Sequence, residues 1–355
     1  MKGLVGAALA FVTAPLMAQA AEPSVPVPAH ANIAYAAAEP STGRGHLLDL
    51  YLPPQTSAPV PVVIWTGGSA WMADNGKDSA GRFAAELNKH GYAVAGVSIR
   101  SSSQVKFPGQ LYDIKAAIRW LRVNGGRYGI DGNLIGIAGD SSGGWATAIA
   151  ATTGDVPELE GNVGTTGVSS AVQAAIAFYP PTRFTDMDRW ALRPCIVGPQ
   201  AGMQFCHDEP DSPESMLVGC PIQQCQNKAA AADPTRYISK SDPPIMILHG
   251  ESDKLVPHEQ GELLYQTLNK ACHESVFISL PTAGHGRWHG FLTDDKLREG
   301  ATIRSTSNQG CEVKSAQLFT PTIETMIAFL DAHLKQAPAP STELPKLGAR
   351  SERGK

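Results

Sequence analysis

The sequence predicts an α/β protein: a mostly parallel sheet with helices on both faces. Three observations carry this. Strand-length apolar runs alternate with segments whose apolar residues recur at helical spacing, the rhythm of strand–helix–strand units. Some of the runs, such as "VPVVIWT" (60–66) and "PIMILHG" (244–250), read as buried strands. Finally, 355 residues, 43% apolar and 17% charged, suit a globular chain that can bury a sizeable core.

The elements follow in order. "LLDLYLP" (47–53) alternates like a half-buried strand, and the 60–66 run comes next. A helix is expected from about Ser79 to His90, closed by Gly91. The strand "YAVAGVSIR" (92–100), a helix from about Pro108 to Asn124 and the strand "LIGIAG" (134–139) come after it. "QAAIAFY" (173–179), the 244–250 run and "SVFISLP" (275–281) supply three more strands, and a last helix spans about Pro321 to Leu334. The stretch from about 182 to 241, rich in Pro, Cys and Gln, breaks the rhythm. It is expected as an insertion over the carboxyl edge of the sheet, where ligands of such sheets bind.

The first twenty residues read as an export signal: Lys2, the apolar stretch "GLVGAALAFVTAPLM", and Ala18-Gln19-Ala20 as a small-residue cleavage site. A membrane anchor needs about 20 apolar residues, and this run is shorter and interrupted by Pro15. The expectation is a periplasmic or secreted protein whose folded domain covers 21–335, followed by a disordered tail at 336–355. After signal cleavage no membrane partner is expected. A net charge of −4 gives no basic patch for nucleic acid.

Export makes disulfides the expected use of the six cysteines. Cys272 is expected to pair with Cys311, bracing the segment that lies between them. Cys195, Cys206, Cys220 and Cys225 are expected to form two bridges within the insertion. A metal set of Cys206, His207, Cys220 and Cys225 matches no common zinc spacing.

Between the 134–139 strand and an Ala-rich helix lies Gly139-Asp140-Ser141-Ser142-Gly143, the Gly-x-Ser-x-Gly pattern of a nucleophile elbow. Glycine two positions either side of Ser141 lets the chain turn sharply. Taking Ser142 as the nucleophile would put Asp140 in one of those tight positions. The acid and the base should then each follow a later strand. Asp253 is the candidate acid, ahead of Glu251, while Asp242 precedes its strand and so lies at the wrong edge. Capping of the following helix is the competing role for Asp253. His285, between Gly284 and Gly286, is the candidate base and His289 its rival. His249 reads as a strand-end hydrogen-bonding residue, and His258 and His273 as solvated. The oxyanion is expected to meet the amide of Ser142 and a second amide, from Gly68 or Ser69, in the turn of "VVIWTGGSAW" (62–71).

These motifs, with "FYPPT", "LHGESDKLVP" and "AGHG", resemble an α/β-hydrolase of the carboxylesterase type. The likeness is greatest to secreted bacterial esterases related to bifunctional feruloyl and acetylxylan esterases, and it runs from about residue 45 to 335. The resemblance implies a serine esterase acting on small acyl or aryl esters without metal or organic cofactor, and it favours His285 over His289. Thr66 stands where the family's His-Gly-Gly-Gly turn has histidine, which leaves the second oxyanion amide open. A prolyl-peptidase-type exopeptidase is the competing reading, but no propeller is expected before residue 45. A silent, ligand-binding hydrolase fold would be expected to lack a member of the Ser-His-Asp set.

Overall fold

The computed structural model describes residues 25–335, except 55–56, 155, 196–205 and 317. The expected export signal and C-terminal tail lie outside the described residues. Seven strands arise where apolar runs predict them: β2 (Leu47–Tyr51), β3 (Val60–Thr66), β4 (Ala93–Val97), β5 (Ile130–Asp140), β6 (Ala174–Phe178), β7 (Ile245–Gly250) and β8 (Ser275–Leu280). Three more have no apolar run to announce them: β1 (His30–Ala34), β9 (Thr302–Thr306) and β10 (Val313–Ala316). They lie at the two edges of one ten-stranded sheet, ordered β1-β2-β4-β3-β5-β6-β7-β8-β9-β10. Edge strands face water along much of their length, so β10 is exposed throughout and carries no hydrophobic pattern.

The strands from β4 to β8 in the sheet order pair in parallel; β1, β2, β9 and β10 add antiparallel edges. From β3 the chain crosses through α1 (Ala80–Leu87) to β4 on one side. It then returns through α2 (Gly109–Asn124) to β5 on the other. The strand order therefore reverses between β3 and β5, and a crevice opens beyond their carboxyl ends. β5 runs directly into α3 (Ser142–Thr152), whose residues are all buried.

The period of two along the strands divides the core. Val62 and Ile64 of β3 face one cluster with α2, α3 and α7 (His258–Lys270), while Val63 and Trp65 face another with α1 and α10 (Ile323–Leu334). Between β6 and β7 the expected insertion carries α4 (Met187–Trp190), α5 (Pro213–Val218) and α6 (Gln226–Ala231). Helix α5 starts with the Ser212 side chain capping the Ser215 amide and Pro213 at the first position, and Gly219 ends it at φ 80°. The short helices α8 (Gly290–Thr293) and α9 (Asp295–Arg298) follow β8.

All six cysteines are bonded: Cys195–Cys206, Cys220–Cys225 and Cys272–Cys311. The third bond is not where the spacing suggested it would act. Cys272 precedes β8, and β9 runs antiparallel so that Thr306 lies opposite Ser275. Both sulfurs therefore sit at the amino edge of β8, a strand length of about 20 Å from the loop that holds His285. Closing 39 residues stabilises the fold by roughly 3–4 kcal/mol on the chain-entropy model. The Cys272→Ser/Cys311→Ser double variant is thus expected to melt earlier, while the ester turnover that the sequence leads one to expect stays within about twofold below the transition. Activity lost well before the melt would return the bond to the service of the histidine loop.

Candidate active site

Strand β5 delivers Ser141 in a conformation that L residues avoid, φ 54° and ψ −123°. Its amide donates to the Phe178 carbonyl at 3.0 Å, and its carbonyl accepts from Trp145 at 2.9 Å. The turn is possible because of the two flanking glycines. A Cβ on Gly139 would stand 2.5 Å from the Gly143 carbonyl oxygen, and one on Gly143 would collide with the Thr66 carbonyl. The Ser141 side chain is thereby held above the crevice between β3 and β5.

The residues expected as acid and base arrive from β7 and β8. His285 Nδ1 lies 2.8 Å from Asp253 Oδ2, and His285 Nε2 lies 3.0 Å from Ser141 Oγ. A carboxylate only accepts, so Nδ1–H donates to Asp253 and the neutral ring offers Nε2 as acceptor to the serine hydroxyl. Asp253 is fully buried, and its Oδ1 accepts the amides of Leu255 and Val256, both at 2.9 Å. Burial alone would raise its pKa, but the imidazoles of His249 and His285 outweigh it and hold the carboxyl well below the usual range. Asp253 does not cap α7: that helix begins at His258 behind Pro257. The edge of the Tyr179 ring packs against the His285 imidazole.

The turn after β3 differs from expectation. The Gly68 amide donates to Asp140 Oδ1 at 2.8 Å and the Ser69 amide to Ser142 Oγ at 2.9 Å, so both are already engaged by side chains. The Ala70 amide has no hydrogen-bond partner among the described residues, and Ala70 lines the cavity beside Ser141. Ala70 and Trp71 both take left-handed backbone, at φ 51° and 56°. Asp140 also accepts the Tyr179 hydroxyl at 2.9 Å, which ties the turn, the elbow and the end of β6 together. Burial pushes the Asp140 carboxyl up, against the Gly68 and Tyr179 hydrogen bonds. The sequence singled out Asp140 only as a misfit for a glycine position, and Tyr179 only within "FYPPT".

The remaining candidates lie apart from Ser141. His289 pairs with Glu86 Oε1 at 3.3 Å and with Thr293, because neighbouring Trp288 is wedged among Trp65, Phe83 and Phe178. Glu251 accepts the Ser279 hydroxyl at 2.6 Å, and Asp242 accepts the Ser239 amide on the opposite edge. His249 is buried and contacts the Val256 carbonyl at 3.0 Å. His258 and His273 are not solvated as expected. His258 packs on Ser279 at 2.8 Å, and burial, helped by His249, pushes its pKa down to about 4. His273 is buried between two backbone carbonyls, those of Glu274 and Asp242. From the insertion, His207, Pro213 and Glu214 reach the cavity beside Ser141, residues that no periodicity had marked.

Known proteins share this architecture. Esterase LipC of Mycobacterium tuberculosis is 27% identical over 248 residues, 70% of this chain and 57% of that protein. Esterase LipQ of the same organism is 28% identical over 246 residues, 68% of this chain and 54% of that protein. The chain thus spans little more than half the length of these curated relatives. Among solved structures, a truncated form of a carbohydrate esterase from gut microbiota superposes with a TM-score of 0.63 at 33% identity. That match covers 72% of this chain and 88% of that one. A bifunctional GH43-CE protein of Bacteroides eggerthii superposes with the same TM-score at 35% identity, over 72% of this chain and 35% of that one. The family model described as BD-FAE matches residues 48–268, from β2 into α7, and takes in Ser141 and Asp253. With that model matching most of the chain on an α/β-hydrolase sheet, the protein belongs to the BD-FAE family.

Proposed function

We propose that the protein is an exported serine esterase that transfers the acyl group of a small ester to water. The observation that carries this is the aligned series Ser141 Oγ, His285 Nε2, His285 Nδ1 and Asp253 Oδ2, at 3.0 and 2.8 Å. In this mechanism Ser141 attacks the ester carbonyl as His285 takes its proton, and buried Asp253 stabilises the imidazolium. The oxyanion forms at the amino end of α3, where the Ser142 amide and the helix dipole face it. The second donor is the Ala70 amide, since those of Gly68 and Ser69 are spent on Asp140 and Ser142. Each such donor contributes on the order of 3 kcal/mol in the transition state. His285 then returns its proton to the leaving alcohol, and water repeats the cycle on the acyl-enzyme. No step needs a metal or organic cofactor.

The substrates that fit best are acetyl, feruloyl or other small acyl and aryl esters, including those of plant polysaccharides. The names of the esterase relatives support the reaction class, and those of the two solved neighbours the carbohydrate setting. Three disulfides support a periplasmic or secreted location. The purified protein is expected to turn over p-nitrophenyl acetate and to leave an aminoacyl-p-nitroanilide intact. Anilide cleavage with little ester turnover would favour an exopeptidase, and no turnover of either a silent binding fold.

A further inference from the structure

Beside Ser141 lies a cavity of about 30 Å³, walled in part by Pro181 and Leu255. Three buried side chains that line it carry polar atoms without a hydrogen-bond partner among the described residues: Trp71 Nε1, His207 Nδ1 and Glu214 Oε2. His207 Nδ1 and Glu214 Oε2 are 3.0 Å apart, close enough to attract as charges. The contact does not saturate the carboxylate: an oxygen of Glu214 has a further lone pair and keeps capacity for a third group. Leaving buried donors and acceptors unmade is costly, so such a set in one pocket calls for an occupant.

The surroundings hold these groups in place. Trp71 stands on the strained Ala70-Trp71 turn, with its ring edge-on to Trp145 and Phe184 at centroid distances of 5.4 and 5.5 Å. Strain of this kind persists where neighbouring structure over-determines it, and it clusters at ligand sites. His207 is anchored by its amide to Asp188 and by Nε2 to the Leu255 carbonyl, and the Cys195–Cys206 bond precedes it directly. Glu214 sits on α5, whose start is set by Ser212 and Pro213.

An indole N–H donates and a carboxylate accepts, the pair of partners that a single hydroxyl satisfies. A cavity of about 30 Å³ exceeds the roughly 10–15 Å³ that one water needs, so it has room for a hydroxyl and the carbon that bears it. We propose that Trp71, Glu214 and His207 form a subsite for one hydroxyl of the substrate, carried on a carbon close to the ester bond. That chemistry fits a partly esterified polyol, such as a sugar with a free hydroxyl beside its acyl group. The inference rests on the esterase reading above and adds a specificity element to it.

The test measures kcat/KM for the wild type, Trp71→Phe and Glu214→Gln on three esters. Glycerol monoacetate carries a hydroxyl on the alcohol side, methyl ferulate carries one on the acyl side, and p-nitrophenyl acetate carries none. Glu214→Gln keeps shape while altering hydrogen bonding; Trp71→Phe removes the indole N–H together with part of the ring, and p-nitrophenyl acetate reads the loss that is due to packing alone. Each is expected to lose about tenfold or more on glycerol monoacetate beyond whatever it loses on p-nitrophenyl acetate. Equal losses on all three esters would assign the residues a purely structural role, and no loss on any of them would leave the pocket to water; either overturns the proposal. A selective loss on methyl ferulate alone would place the hydroxyl on the acyl arm and overturn it as well. If the wild type turns over none of the esters, the esterase reading fails first. Glycerol binding followed by saturation-transfer NMR then decides the subsite: binding that weakens in both variants upholds it, and absence of binding sinks it.

Discussion

Ser141→Ala is expected to lower kcat on p-nitrophenyl acetate by at least about a thousandfold, as loss of a triad nucleophile does. The change removes one oxygen from a turn whose shape depends on Gly139 and Gly143, so the fold should be unaffected. Ser142→Ala is the informative control. The Ser142 hydroxyl accepts the Ser69 amide at 2.9 Å and so steadies the turn, but its proposed catalytic contribution comes from the backbone, which alanine retains. A loss of about tenfold or less is expected there. Steady-state kinetics on the two variants separates the roles. A dead Ser142→Ala beside an active Ser141→Ala would show that the elbow is set one residue later than the geometry implies.

The second large effect is on the histidines. His285→Ala should reduce ester turnover by a thousandfold or more, because Ser141 then has no acceptor for its proton and Asp253 is buried without its partner. His289→Ala should cost only a few-fold. That ring meets Glu86 and Thr293, and its loss removes a contact to α1 rather than a group beside Ser141. Circular dichroism on both variants checks that the fold survives. An inactive His289→Ala with an active His285→Ala would reverse the assignment and undermine the proposed mechanism.

Much of this candidate site is legible in the sequence. In a strand–helix alternation, residues that directly follow a parallel strand share one edge of the sheet, so local pattern alone could nominate Ser141, Asp253 and His285 together. The central strands were equally plain, because strands buried on both faces must be apolar along their length. Strands β1, β9 and β10 were not, since an edge strand takes its place from pairing rather than from burial. Missing β9 also hid where the Cys272–Cys311 bond lies, because its antiparallel return carries Cys311 back to the amino edge.

What the chain could not reveal locally depends on contacts between distant segments. His285 and His289 stand four residues apart in one loop, and the packing of Trp288 among Trp65, Phe83 and Phe178 turns the second toward Glu86. The Gly68 and Ser69 amides looked as available as any in their turn. Asp140 and Ser142, more than seventy positions away, occupy them and leave Ala70 facing the cavity. His207 and Glu214 lie in an insertion with no hydrophobic period, and only the packing that follows the Cys195–Cys206 bond and α5 brings them to Ser141. Hydrophobic periodicity reports which face of an element is buried, and so it fixes the sheet and its edge. The hydrogen-bond partner of each polar atom is chosen by whatever side chain the completed packing sets within about 3 Å.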